Sequence, residues 1–257
     1  MIESTQNKLV KEIKALADKK HRDKSGLFIA DGLRFVTEIP ETTKIDKMIF
    51  SESFADKNDI SKYKNRAEVF VVSDKIFASL SETKNPQGIM AVCEKTEYSL
   101  DDIIKTDGFY VIAEEMNDPG NLGTVIRTAH AAGADGVILS KGSVDLYNPK
   151  VLRSTMGSIF KVPVVYNADL AETVAKMKAS DIKIYAAHLK GKMNYFKLDL
   201  KKGCAFMLGN EARGLSDKAA GLCDSLVKIP MPGNAESLNA SVAAAVLIYE
   251  AVRQRLS

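Results

Sequence analysis

Three short segments hold residues whose types and spacing suit chemistry on a polar, phosphate-bearing substrate. The first runs Asn117-Asp118-Pro119-Gly120-Asn121-Leu122-Gly123 and continues to Arg127 and Thr128. Leu122, Val125, Ile126 and Ala129 recur at helical spacing, so a helix opens here, Gly133 can cap its end, and Arg127 falls off its buried face. Helical side chains lean toward the N-terminus, which sends Arg127 back over Gly123 toward Asn121, where a guanidinium grips a phosphate or a polarised oxygen. Alone, the pattern is equally that of an arginine on a solvated helix face.

The second segment, Leu208-Gly209-Asn210-Glu211-Ala212-Arg213-Gly214-Leu215, brackets an amide and a carboxylate with two glycines. That suits a backbone approached closely by a ligand, or a plain turn that needs glycine dihedrals. The third runs from Ile229-Pro230-Met231-Pro232-Gly233 to Ser237-Leu238-Asn239-Ala240-Ser241. Its rigid turn leads to a helix starting at Glu236 or Ser237, with Asn239 and Ser241 in the first turns. The amides there are free to donate to a ligand, and Ser237 and Asn239 equally read as caps.

Other chemistries find less support. Three histidines and three cysteines lie scattered without metal-ligand spacing, so no metal site is expected, and the cysteines read as buried thiols. A nicotinamide loop needs a third glycine and an acid ending the following strand. Here Gly120 and Gly123 stand without that glycine, and Ser140-Lys141 ends the strand.

The segments need a scaffold, and the pattern supplies one. Strands are expected at Phe109–Ala113, Gly136–Ser140, Val162–Val165, Ile182–Ala187, Ala205–Leu208 and Leu226–Ile229, with helices between. Such alternation makes an α/β domain with a mostly parallel sheet, helices on both faces, and ligands at the carboxyl ends of the strands. The last helix, Ser237 to about Leu256, carries an apolar stripe of Leu238, Val242, Val246 and Tyr249. Upstream, Ser4–Asp18 has helical spacing, strands are expected at Leu27–Ala30, Lys47–Phe50, Val69–Val72 and Ile89–Cys93, and helices at Leu33–Glu38 and Asp74–Leu80. This is a small α/β unit over 1–95, followed by a polar linker across 94–106 and a second domain over 106–257.

The 257 residues carry 36 Lys and Arg against 33 Asp and Glu, a net charge of +3 that permits an RNA partner without demanding one. Lys19, Lys20, Arg22 and Lys24 form a compact basic turn suited to RNA phosphates, although Asp18 and Asp23 dilute it. The opening MIESTQNKLVKEIK lacks the apolar core of a signal peptide, and no run reaches bilayer length, so a cytoplasmic protein is expected.

The three segments resemble the signature motifs of the SpoU (TrmH-like) class of SPOUT methyltransferases. The resemblance rests on Asn121-Leu122-Gly123 with Arg127-Thr128, Leu208-Gly209-Asn210-Glu211 with Gly214-Leu215, and Ile229-Pro230-Met231 with Ser237-Leu238-Asn239-Ala240-Ser241. Residues Leu152–Pro163 are similar to the text between the first two motifs. Ser4, Asn7, Lys11 and Phe28–Gly32 are similar to the family's substrate-binding domain, which more often has Glu where Asp31 stands. The resemblance implies a C-terminal trefoil knot, homodimers, and a methyltransferase that carries a methyl group from S-adenosylmethionine to a ribose 2′-hydroxyl in rRNA or tRNA. It implies a catalytic set of Arg127, Asn121, Glu211 and Asn239, and cofactor contacts from Leu208, Gly209, Asn210, Gly214, Ile229, Met231, Ser237 and Leu238. The thioether leaving group is neutral, so neither acid nor metal is needed. The hydroxyl is the weak partner, and Arg127 suits a clamp on phosphate and nascent oxyanion better than a base, because guanidinium rarely deprotonates. A non-catalytic RNA-binding or ribosome-assembly protein on the same fold is the alternative.

Overall fold

Leu9, Val10 and Ile13 form the buried stripe of the first helix, α1 (Lys8–Ala15), which Asn7 caps by accepting the Leu9 amide. The computed structural model describes every residue except Asn234. The expected basic turn is instead a second helix, α2 (Lys19–Ser25): Asp18 caps its start, and Gly26 closes it at a φ of +68°. Then follow β1 (Leu27–Asp31), α3 (Leu33–Thr37), β2 (Ile45–Ser51), α4 (Glu52–Lys57), β3 (Glu68–Val72), α5 (Asp74–Leu80) and β4 (Ile89–Glu94). The strands form one sheet in the order β1-β4-β2-β3, in which only β2 and β3 run parallel. Leu9, Val10 and Ile13 pack with Ile76, Phe77 and Leu80 of α5 over Ile49 and Met90.

Residues 1–96 form one compact unit together with 145–160, and residues 97–144 form a second with 161–257. The polar stretch after β4 is not a bare linker. Ser99 and Asp102 make a capping box for α6 (Leu100–Ile103), whose Leu100 and Ile103 enter the second unit's core. The second unit continues with β5 (Phe109–Ala113), α7 (Pro119–Ala131) and β6 (Gly136–Ser140). The return segment then carries α8 (Pro149–Thr155) and belongs to the first unit. Within that unit Tyr147 takes both backbone groups of Thr96, donating to its oxygen (2.8 Å) and accepting from its nitrogen (2.9 Å), and packs on Phe28.

The return segment also explains a correction. Arg22, expected among the RNA-binding cations, is 3% exposed and paired with Asp145 at 2.5 Å, while it donates to the carbonyls of Leu16 and Ala17. It holds the unit together and offers nothing to a phosphate. Lys19, Lys20 and Lys24 remain on the exposed side of α2.

The second unit is completed by β7 (Val164–Ala168), α9 (Leu170–Ala179), β8 (Lys183–Ala187), β9 (Met193–Asn194), β10 (Cys204–Leu208), α10 (Asp217–Leu222), β11 (Ser225–Lys228) and α11 (Ala240–Arg255). Its seven strands lie in the order β7-β6-β5-β10-β8-β11-β9, every neighbouring pair parallel. β10 slots between β5 and β8, so chain direction along the sheet reverses at β5 and the loops after β5 and β10 leave side by side. Val174 and Met177 of α9, with Ala219 and Ala220 of α10, cover one face over Tyr110, Ile112, Ala205 and Met207. α7 and α11 pack together on the other, α11 also touching β10.

α11 differs from expectation in start and orientation. Asn239 is its cap, accepting from the amides of Ser241 and Val242, so the helix begins at Ala240 and leaves Ser237 outside. Ala244, Leu247, Ile248 and Ala251 are buried, whereas Val242 is 48% and Tyr249 50% exposed. The helix is apolar on more than one side, and its small residues permit close approach to α7, so Val242 and Tyr249 of the expected stripe face outward while Val246 is half-buried. No helix among the described residues is long and apolar enough to cross a membrane.

Candidate active site

At the end of β5, Glu114 and Glu115 tie the first loop to the second. The Glu114 carboxylate accepts the Ser216 amide (2.7 Å) and hydroxyl (2.6 Å) just before α10. Glu115 turns the chain at a φ of +46°, pairs with Arg213, and gives its carbonyl to Asn210 Nδ2 at 2.8 Å. Asp118 then caps α7 by accepting the Asn121 amide at 2.7 Å, with Pro119 in the first helical turn, where no amide partner is needed.

Glu211 joins the loops more tightly. Its carboxylate accepts from the amides of Asn117 (3.1 Å) and Asp118 (3.0 Å) and from Asn121 Nδ2 (3.2 Å). Burial pushes its pKa up, but its own amide and those of Asn117, Asp118 and Asn121 outweigh that and hold it below the usual glutamate value. Asn121 passes the chain of contacts on: its Oδ1 accepts from Asn239 Nδ2 at 3.0 Å. The sequence-derived residues Glu211, Asn121 and Asn239 are thus one polar relay. A carboxylate with its oxygens occupied and its pKa lowered is a poor proton acceptor, and these contacts hold the first loop against the second. Arg127 stands exposed on α7 one turn after the buried Gly123, with no ion-pair or hydrogen-bond partner for its guanidinium among the described residues.

Beside the relay lies a cavity of about 330 Å³ at the carboxyl ends of β8, β10 and β11. Leu208, Gly209, Asn210, Gly214, Ile229, Met231, Ser237 and Leu238 all line it, together with Glu211. Asn210 is only 9% exposed, and its side chain is engaged in the loop, Oδ1 accepting from the Ala212 and Arg213 amides. Gly209 has a reason other than ligand approach: a Cβ there would lie 2.1 Å from the Gly214 carbonyl carbon and the Leu215 nitrogen. The loop folds back on itself and only glycine leaves it room.

Sequence reasoning passed over one wall. Ala187, His188 and Leu189, following β8, also line the cavity, and His188 Nδ1 accepts the Lys190 amide at 3.0 Å. The rule that ligands sit at strand carboxyl ends applies to β8 as much as to its neighbour, but nothing in the composition of that loop singles it out. A cavity of about 390 Å³ beside Ser51, Phe54 and Gln87 in the first unit takes no residue from the three loops.

The description of the SpoU rRNA methylase family matches residues 108–249, which include all three loops. The chain belongs to this family. An MRM3-like substrate binding domain matches residues 7–91. Among relatives, the 23S rRNA (guanosine(2553)-2′-O)-methyltransferase RlmP of Bacillus subtilis is 37% identical over 249 residues, covering 96% of this chain and 97% of the relative. A 23S rRNA (uridine(2479)-2′-O)-methyltransferase of Streptomyces viridochromogenes is 31% identical, covering 94% and 88%. The crystal structure of an AdoMet-bound rRNA methyltransferase from Sinorhizobium meliloti superposes with a TM-score of 0.90 at 34% identity, covering 100% of this chain and 98% of that one. These SpoU-family likenesses extend over both units.

Proposed function

We propose that this chain is an S-adenosylmethionine-dependent RNA methyltransferase that methylates a ribose 2′-hydroxyl of ribosomal RNA. The observation that carries the reading is the convergence of the three loops: Glu211, Asn121 and Asn239 bond in series at the edge of a cavity framed by the remaining motif residues. Relatives matched along nearly their whole length are named 2′-O-methyltransferases of 23S rRNA, which favours rRNA over tRNA. One of these names gives a guanosine and the other a uridine.

The cavity fits the cofactor. Its volume lies in the range of small-molecule sites, and Leu208, Ile229, Met231 and Leu238 offer apolar walls to the adenosine and methylene parts. When bound, S-adenosylmethionine supplies an electrophilic methyl group on a sulfonium. The protein's part is to hold the hydroxyl oxygen and manage its charge. Asn121, fixed by Glu211 and Asn239, sets the floor of the loop, and Arg127, unpaired among the described residues, clamps an RNA phosphate and stabilises the developing oxyanion as the hydroxyl proton leaves to water. Lys20 and Lys24 of the first unit, both exposed, hold RNA by its phosphates without reading sequence.

The active form is a cytoplasmic homodimer, a second copy covering the outward stripe of α11, where Val242 and Tyr249 stand half exposed beside Leu238. The segment from β10 through α11 forms the family's knot, a reading supported by the late insertion of β10 between β5 and β8. Deleting the gene and mapping 2′-O-methyl marks across total RNA tests the activity: one rRNA mark should vanish and return on re-expression. Titration calorimetry should show S-adenosylmethionine binding; its absence would leave a non-catalytic RNA-binding protein.

A further inference from the structure

We propose that the free edge of the second unit's sheet, residues 189–197, is a platform for an unpaired RNA strand that leads to the cavity at the strand ends. The inference rests on reading the chain as an RNA methyltransferase, and it names the form of RNA taken. β9 is the last strand of the sheet, its Met193 and Asn194 paired with Val227 and Lys228 of β11. The stretch around it interleaves apolar side chains with cations. Leu189, Met193 and Phe196 are 43–64% exposed, and Lys190, Lys192 and Lys197 stand exposed between and beside them. None of these three ammonium groups has an ion-pair or hydrogen-bond partner among the described residues. The acid between positions 188 and 202 is Asp199, which accepts the Lys201 amide at 3.2 Å.

The fold holds this stretch at both ends. Gly191 lies against β11, where a Cβ would stand 2.6 Å from the Val227 carbonyl carbon. Beyond Lys197 the chain is fastened to α11: Gln254 accepts the Leu200 amide and donates to the Leu198 carbonyl, both at 2.9 Å. Tyr195 packs edge-on against Phe196, their ring centroids 5.4 Å apart. The exposed side chains are therefore set in place before a ligand arrives, which lowers the entropy lost on binding. An exposed ring stacks on a base of any identity while lysines hold the phosphates, the pattern of sites for single-stranded nucleic acid. Bases within a duplex already stack on each other and cannot use it. The platform also adjoins the cavity, because Leu189 and the exposed Lys228 both line it and Lys228 pairs in register with Asn194 of β9. A second copy of the chain fits less well, since docking this patch on itself would set the lysines of both copies against each other.

The test uses the full-length protein with fluorescein-labelled U12 and a labelled RNA duplex of equal length, read by anisotropy. Phe196→Ala should weaken U12 about tenfold and leave the duplex unchanged, whereas Phe196→Tyr, which keeps a ring, should bind U12 like wild type. Lys190→Gln combined with Lys192→Gln should lower the slope of log affinity against log salt for U12 by about 1.4, the share of two single-strand phosphates. All these variants should keep the wild-type affinity for S-adenosylmethionine and the wild-type mass by light scattering. Unchanged U12 binding by Phe196→Ala, or equal weakening of strand and duplex, would overturn the proposal. So would a lower mass for Phe196→Ala, which would give the patch to a second copy of the chain. If the proposal failed in one of these ways while wild type still methylated rRNA, the platform alone would fall. Absence of rRNA methylation with the Phe196 effect intact would remove the enzyme reading and keep the platform.

Discussion

Asn239 Nδ2 donates to Asn121 Oδ1 at 3.0 Å, joining residues 118 positions apart. The same Asn239 caps α11 through Oδ1, and the same Asn121 donates to Glu211, so one amide–amide contact ties the last helix to the first loop. Asn121→Ala and Asn239→Ala should each destabilise the protein. The Asn239 variant should lose more, because removing a helix cap costs about 1 kcal/mol besides the shared bond. In a double-mutant cycle followed by urea unfolding, the coupling should be about 0.5–1.5 kcal/mol, the net worth of a neutral hydrogen bond. Strictly additive losses would show that the contact does not hold the loops.

Glu211 gives a pH signature with a definite sign. Its folded pKa lies below the ordinary glutamate value of 4.5, so its contribution is fully present above 4.5 and disappears as pH falls through the lower folded value. Glu211→Gln should therefore be less stable than wild type at pH 7 and converge on it in acid below that folded value. Urea midpoints from pH 7 to pH 3 check this. A gap that stays constant across the range would mean that the charge plays no part.

The sequence made the strands legible because their residues alternate or run apolar between turn formers: Phe109–Ala113 and Gly136–Ser140 fall where expected. β7 starts two residues later than expected, at Val164, after Pro163, which has no N–H to give a ladder. The cavity-lining residues were legible through family resemblance more than through physics, since each loop alone reads equally as a capped turn. Two things were hidden because they depend on chain segments far apart in sequence. Arg22 looks like any surface cation until Asp145 closes over it, and the exposure of Val242 and Tyr249 follows from which face of α11 meets α7. Periodicity cannot choose between two apolar faces of one helix.

Gly209 and Gly214 separate two reasons for glycine. Gly209→Ala places a Cβ 2.1 Å from backbone, which nothing short of loop rearrangement relieves, so the variant should lose several kcal/mol or fail to fold. At Gly214 the φ is +70° but the space around a Cβ is open. Gly214→Ala should cost only about 1 kcal/mol, the strain of a left-handed conformation. Thermal unfolding of the two variants ranks them; comparable losses would contradict the backbone crossing at Gly209.

The proposed clamp makes a separate prediction for Arg127. It is exposed and unpaired among the described residues, so Arg127→Ala should leave folding and S-adenosylmethionine binding near wild type. Turnover should fall about 10²–10³-fold, the loss typical of one charge-stabilising donor. Arg127→Lys should recover part of it, because lysine keeps the charge and loses the two-pronged grip. Calorimetry with the cofactor, paired with methyl transfer to rRNA, separates the two effects. Normal turnover in both variants removes Arg127 from the mechanism.

Arg22 and Lys20 lie two residues apart on α2 and should behave in opposite ways. Arg22 is 3% exposed against an Asp145 that is 9% exposed, so Arg22→Ala strands a buried carboxylate and should cost about 3–5 kcal/mol. Its RNA binding, measured on the folded fraction, should keep the wild-type dependence on salt. Lys20 is exposed and reaches solvent from the first turn of the helix. Lys20→Ala should leave stability within about 0.5 kcal/mol and lower the slope of log affinity against log salt by about one phosphate contact. A changed salt slope for Arg22→Ala with stability intact would return that arginine to the RNA surface and undo the reading of a buried pair.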